Sequence, residues 1–184
     1  ACGFITYLDP KLAACTVFVH DGGIVLLKRA VAPEKGKWVF PGGFVNRGEP
    51  VPAAAIRETR EEVNMKVGLT GILDVYSFPG EPTAVVVYAA HVLSGKLEAR
   101  DEAAEARPFP PEALPWDQLG FESTRSALRD YLRRFFPRVR PPGGVLPATR
   151  TPRPPAGHRR RRCPAPSRAG CGRAWPSRLI PGTH

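Results

Sequence analysis

The chain has 184 residues, 42% hydrophobic and 24% charged, which is enough for one domain of ordinary size with a real core and too little for two large ones. Its formal net charge of +10 points towards polyanions, but residues 138–184 hold 11 arginines and no lysine, aspartate or glutamate, leaving 16 basic against 17 acidic side chains, a net of −1, in residues 1–137. The body is neutral, so composition gives no argument that the folded part binds a polyanion by bulk electrostatics and leaves the tail as a separate question, and without a run of about 18 apolar residues no membrane-spanning helix is expected.

The opening Ala1-Cys2-Gly3-Phe4-Ile5 lacks the basic stretch and apolar core of a signal peptide, so a cytoplasmic setting is expected, with Cys2, Cys15, Cys163 and Cys171 reduced. Cys15 lies in the apolar run 12–19, where a buried, inert thiol is the usual case. That run and residues 24–28 flank His20-Asp21-Gly22-Gly23, whose Asp-Gly supplies the positive φ of a tight turn, and together they predict a β-hairpin. Trp38-Val39-Phe40 predicts a short apolar strand running into Pro41-Gly42-Gly43, with Trp38 anchoring the loop. Pro52, preorganised for a first helical turn, opens a helix to about Val63. Two valine-rich runs, 69–78 and 83–93, are separated by the loop chemistry of Phe78-Pro79-Gly80-Glu81-Pro82 and complete a mixed sheet.

A second helix is predicted from Ser123 to Phe136, because Leu128, Tyr131, Leu132 and Phe135 recur at three and four residues as a core-facing stripe. Its arginines, Arg125, Arg129, Arg133 and Arg134, point mainly elsewhere, which favours packing over reading of DNA. Beyond Pro137 come ten prolines, six glycines and the run Arg159 to Arg162 in 47 residues, with no periodicity to support a core. Residues 138–184 are therefore expected to be a disordered tail; an extension with no selected role is favoured over an arm that contacts nucleic acid.

The chemistry concentrates between Gly43 and Met65, GFVNRGEPVPAAAIRETREEVNM. Glu58, Glu61 and Glu62 are related as i, i+3 and i+4, so three carboxylates share one helix face, where like charges destabilise a helix unless something positive compensates. Hard oxygen ligands on a rigid element suit Mg²⁺ or Mn²⁺ with substrate phosphates. An acidic face alone is more often just solvated; the preceding Gly42-Gly43, which can expose backbone carbonyls and amides to a metal or phosphate, tips the balance.

Gly43, Glu49 and Arg57-Glu58-Thr59-Arg60-Glu61-Glu62 resemble the Nudix hydrolase signature, G-x5-E-x7-R-E-U-x-E-E-x-G-U, where U is a bulky aliphatic residue. Two positions depart, Thr59 for an aliphatic residue and Asn64 for glycine, and neither removes a ligand. The resemblance implies an α/β/α sandwich with a mixed β-sheet over residues 10–137. It implies that Glu58, Glu61 and Glu62 bind the divalent cations with the Gly43 carbonyl as a further ligand, that Arg57 orients a glutamate, and that Glu49 holds loop and helix together. A surface ion pair between Arg57 and Glu61 is the ordinary alternative. The family's general base comes from a later loop, where Asp101, Glu102 and Glu105 are candidates and Glu102 is favoured; Glu81 is the runner-up for substrate-side chemistry. The implied reaction is metal-assisted attack of water on one phosphorus of a diphosphate, the other phosphate leaving.

CGFITYLDPK resembles the junction between a zinc ribbon and the Nudix domain in a subgroup that includes the NADH pyrophosphatases, so residues 1–9 read as the remnant of a ribbon or a linker, and the sequence as beginning inside a larger parent. Cys2 lacks partners of suitable spacing, and no zinc site is expected. Tyr76-Ser77-Phe78-Pro79-Gly80 stands where those enzymes carry S-Q-P-W-P-F-P, which argues against NADH. Pro79 lies 15 residues after Asn64, near where ADP-ribose-cleaving members carry a proline, so an ADP-ribose-like nucleoside diphosphate derivative is favoured. Tyr76, Phe78, Phe109 and Trp116 are candidates to stack on a base, although ordinary packing accounts for each. NADH pyrophosphatase-like activity and a non-catalytic nucleotide-sensing module are the alternatives; a homodimer is compatible with the family.

Overall fold

The structure is a computed structural model and describes residues 10–141. The expectations for residues 1–9, with Cys2, and for the tail beyond Pro141, with Cys163 and Cys171, fall outside the described residues.

Two sheets form the frame. In the first, Lys11–Val17 (β1) pairs parallel with Thr83–Gly95 (β7), so that Lys11 lies opposite Thr83 and Val17 opposite Ala89. Gly42–Phe44 (β5) pairs antiparallel with β1, and Met65–Tyr76 (β6) antiparallel with β7, giving the order β5-β1-β7-β6 of a mixed sheet. In the second, Gly23–Arg29 (β3) pairs antiparallel with Val19–His20 (β2), Trp38–Val39 (β4) and Ala103–Phe109 (β8).

The expected hairpin is thereby corrected. Only β2 folds back on β3, across Asp21 (φ 46°) and Gly22 (φ 76°), the two positive φ values of a primed two-residue turn. The chain changes sheet at the fully buried Phe18. Val17 before it is buried and Val19 after it is half-buried, so the apolar run from 12 to 19 is continuous in sequence and shows no break where the pairing partner switches. A second correction concerns residues 100–108, expected as a loop: from Ala103 onward they are strand β8, whose sequence AAEARPF has no β-branched residue and is strand because β3 pairs with it.

The helix Val51–Val63 (α1) lays Ala54 and Ala55 on Ala14, Val86 and Tyr88, and these small side chains bring it close to the first sheet. The helix Glu122–Phe135 (α2) packs Ala127, Leu128, Tyr131 and Leu132 into a cluster with Cys15, Val17, Val87 and Ala89. Alternate residues of β1 and β7 thus face different helices, which is the expected α/β/α layering. Phe135 leaves the expected stripe: it is exposed at the end of α2, its ring 4.7 Å from that of Tyr131. Trp38 is buried edge-on against Phe109 at 4.8 Å and fixes β4, the strand that leads into the glycine loop.

Candidate active site

The β1–β5 pairing sets Cys15 opposite Gly42, and a Cβ on Gly42 would collide with Cys15 at its Sγ, Cβ and Cα. The absence of a side chain there lets the loop lie on β1. Burial pushes the Cys15 thiol well above its usual range, so it is inert, as expected. The Gly42 N–H donates to Glu62 Oε2 at 2.8 Å, and a Cβ on Gly43 would stand 2.5 Å from a Glu58 carboxylate oxygen. Two adjacent glycines therefore receive two glutamates of α1.

Glu62 is only 7% exposed, and burial, with the negative charge of Glu58 adding to it, raises its carboxyl to about 8. Burial also raises Glu58. The compensating cation is Arg57: its Nε and Nη2 donate to Glu49 Oε1 and Oε2 at 2.8 and 2.9 Å, and its Nη1 donates to Glu58 Oε1 at 2.7 Å and Glu61 Oε2 at 2.9 Å. The i, i+4 pair with Glu61 is present, but as one arm of a fork that also reaches the Phe44 carbonyl at 3.2 Å. Hydrogen bonds from Arg57, with a further one from the Asn46 backbone N–H, hold Glu49 down at about 2. Glu49 thus joins loop and helix.

The two departures from the signature have local explanations. Thr59 is fully buried, its hydroxyl donating to the Ala55 carbonyl at 2.7 Å and accepting from Thr16 Oγ1 at 2.7 Å, a polar link between α1 and β1. Asn64 ends α1 in the left-handed conformation (φ 56°) and donates from Nδ2 to the Lys96 carbonyl at 3.0 Å.

A cleft of about 1120 Å³ opens on Gly43, Glu58, Glu61 and Glu62. Asp101 and Glu102, in the turn before β8, line its wall, and Glu102 is near enough to Glu62 to disfavour its ionisation. Glu105 is carried away: it lies on β8 opposite Lys28 and pairs with Arg107 at 3.4 Å. Glu81 also lines the cleft. Of the four expected aromatics, Phe109 is buried and Trp116 packs against the core, whereas Tyr76 and Phe78 both line the cleft, the Tyr76 hydroxyl donating to Asp130 at 2.9 Å. Among the cleft residues that sequence reasoning missed are Arg29 at the end of β3 and Phe121 before α2, which only the tertiary fold brings to the same cleft as the glutamates.

Residues 9–135 match the NUDIX domain family. The chain belongs to the Nudix family. The Nudix hydrolase fold also appears in its likeness to solved structures: a NUDIX hydrolase from Nitrosomonas europaea (TM-score 0.68, 30% identity, 73% of this chain and 76% of that one) and a MutT NUDIX hydrolase from Burkholderia pseudomallei (TM-score 0.61, 33% identity, 67% and 98%). Among curated relatives, an ADP-ribose pyrophosphatase of Methanocaldococcus jannaschii is 36% identical over 131 residues, 69% of this chain and 76% of that protein. The NAD-capped RNA hydrolase NudC of Pseudomonas aeruginosa is 32% identical over 116 residues, 62% of this chain but 41% of that longer protein. No helix among the described residues of this Nudix hydrolase is long and apolar enough to cross a membrane.

The Nudix glutamates are a hard, anionic oxygen set of the kind that suits a divalent cation. Among the described residues, however, no three acidic, histidine or cysteine side chains converge into a metal-holding group; the Glu58 and Glu61 carboxylates both accept from Arg57 Nη1. The chemistry of the donor set fits a cation; the present rotamers serve Arg57.

Proposed function

We propose that this chain hydrolyses the diphosphate bond of ADP-ribose or a related nucleoside diphosphate derivative in the cytoplasm, with Mg²⁺ or Mn²⁺ held by Glu58, Glu61, Glu62 and the Gly43 carbonyl. The observation that carries the reading is the buried Glu62 side chain, fastened to the Gly42 N–H beside Glu58 and Glu61 at the edge of the cleft. A cation in the cleft offsets the burial that raises this carboxyl, as a proton does in its absence. A divalent cation held by these residues would supply charge neutralisation for the diphosphate and a more acidic water.

The chain's own residues then have distinct tasks. Glu102, on the cleft wall, accepts the proton of the attacking water. Arg57 sets the positions of Glu58 and Glu61, and Glu49 fixes Arg57 by a bidentate pair. Water oxygen bonds to one phosphorus, the bridging oxygen leaves with the other, and the products are two phosphate monoesters. The similarity to the ADP-ribose pyrophosphatase supports that substrate class.

The test is phosphate release, coupled to a phosphatase, from ADP-ribose, NADH, diadenosine polyphosphates and nucleoside triphosphates with Mg²⁺ or Mn²⁺. Metal-dependent turnover highest with ADP-ribose and lost in Glu62→Gln is expected. Turnover highest with NADH would support the second reading, which the similarity to the NAD-capped RNA hydrolase keeps open. Full activity in Glu62→Gln would overturn the site, and silence from a folded protein would support a non-catalytic binding module.

A further inference from the structure

The segment that leads into α2 is fastened to the glycine-loop side of the molecule. Leu119 forms a parallel bridge with Trp38, and the Gly120 N–H donates to the Trp38 carbonyl at 2.9 Å. Arg125 donates from Nη2 to the Leu119 carbonyl at 2.6 Å and from Nη1 to the Gly120 carbonyl at 3.3 Å. Gly120 cannot carry a side chain without meeting Val39 Cγ1 at 2.9 Å, so the backbone lies close on β4. The next residue, Phe121, spends none of this anchoring on the core: Leu119 is fully buried, whereas Phe121 is 38% exposed and lines the cleft that holds Glu58 and Glu62.

A phenyl ring presented so firmly to the cleft is a surface for something flat. The Arg29 guanidinium lies 5.5 Å from the centroid of its ring, within cation–π range. Arg29 Nε donates to the Pro33 carbonyl at 2.8 Å, and among the described residues no acid lies within ion-pairing distance of it. It also lines the cleft, so a cation shares that cleft with the aromatic ring and the glutamates. A nucleotide derivative has the matching sequence of parts, a planar base, a ribose and an anionic diphosphate. Bases stack on aromatic faces, and a guanidinium beside them serves both ring and phosphate.

Resting on the reading of this site as a nucleoside diphosphate hydrolase, we propose that Phe121, steadied by Arg29, is the stacking platform for the base of the substrate. Phe121 is then a specificity residue, acting on binding of the base.

The test is calorimetric titration of the full chain and of Phe121→Ala, Phe121→Leu and Phe121→Trp with AMP and with ribose 5-phosphate, which keeps the phosphate and sugar but lacks the base. Thermal melts confirm that each variant is folded. The alanine and leucine variants are expected to bind AMP about tenfold more weakly, the tryptophan variant to retain wild-type affinity, and ribose 5-phosphate to bind all four alike. Equal losses for both ligands, a leucine variant as good as phenylalanine, or wild-type binding of AMP no tighter than of ribose 5-phosphate would each overturn the platform. Base-selective AMP binding without hydrolysis of ADP-ribose would remove the hydrolase reading and leave the platform standing.

Discussion

Arg57 holds Glu49, Glu58 and Glu61 with one planar fork, a task that a lysine's single ammonium cannot reproduce. Arg57→Lys is therefore expected to lose at least tenfold in kcat while remaining folded, and Arg57→Ala to cost about 2 kcal/mol of stability as well, since it strands partly buried carboxylates; steady-state kinetics and urea unfolding check the pair. Glu62 sets a pH dependence of the metal-free protein. Its carboxyl titrates at about 8 when folded and 4.5 otherwise, so between those values the native state binds the extra proton. That contribution is fully present below pH 4.5 and lost as pH rises through 8, amounting to a few kcal/mol at order of magnitude. Glu49, held at about 2, works in the opposite sense: its contribution is present above pH 4.5 and lost as pH falls towards 2. Melting temperature in chelator should therefore fall from pH 5 to 8, and the gain on adding Mg²⁺ should grow over the same range. A gain independent of pH would count against Glu62 as a ligand. The grouping of these side chains was legible in the sequence because Gly43, Glu49 and Arg57 to Glu62 lie within one loop and helix; Arg29 and Phe121 were not, because nothing local distinguishes them from ordinary surface residues.

The loop and helix that make the site tolerate substitution unevenly. Gly42→Ala forces a Cβ into the Cys15 backbone at a φ of 156°, so it is expected to destabilise the fold by about 3 kcal/mol, read by chemical denaturation. Gly43→Ala meets only the end of the Glu58 side chain, which can swing aside; its fold should survive while activity falls sharply. Circular dichroism melts beside kinetics separate the two. At the buried link between α1 and β1, Thr59→Val leaves the Thr16 hydroxyl without a partner and should cost about 1–3 kcal/mol. The double variant Thr16→Val with Thr59→Val should recover much of it. Helix limits were readable from Pro52 and Asn64, which act through their own backbone geometry. Strand limits were less so: β8 depends on a partner distant in sequence, and the change of sheet at Phe18 hides inside one apolar run.

Across the whole molecule, the cleft collects Glu62 from α1, Glu102 from the turn before β8, Arg29 from β3 and Phe121 from the approach to α2. The mixed sheet followed from the strand patterns and the α/β/α layering from the resemblance to the Nudix signature, whereas division into two sheets and closure of the cleft depend on pairings between distant segments. The parallel pairing of β1 with β7 has a consequence for assembly. As the chain is synthesised, β1 can meet β5 early through Ala14 opposite Gly43, seating the glycine loop, but its other edge waits until β7 emerges. During that interval an apolar strand stays open to pairing with other chains, so yield on expression should respond to how quickly the segment from residue 83 to 95 is delivered, before any substrate is met.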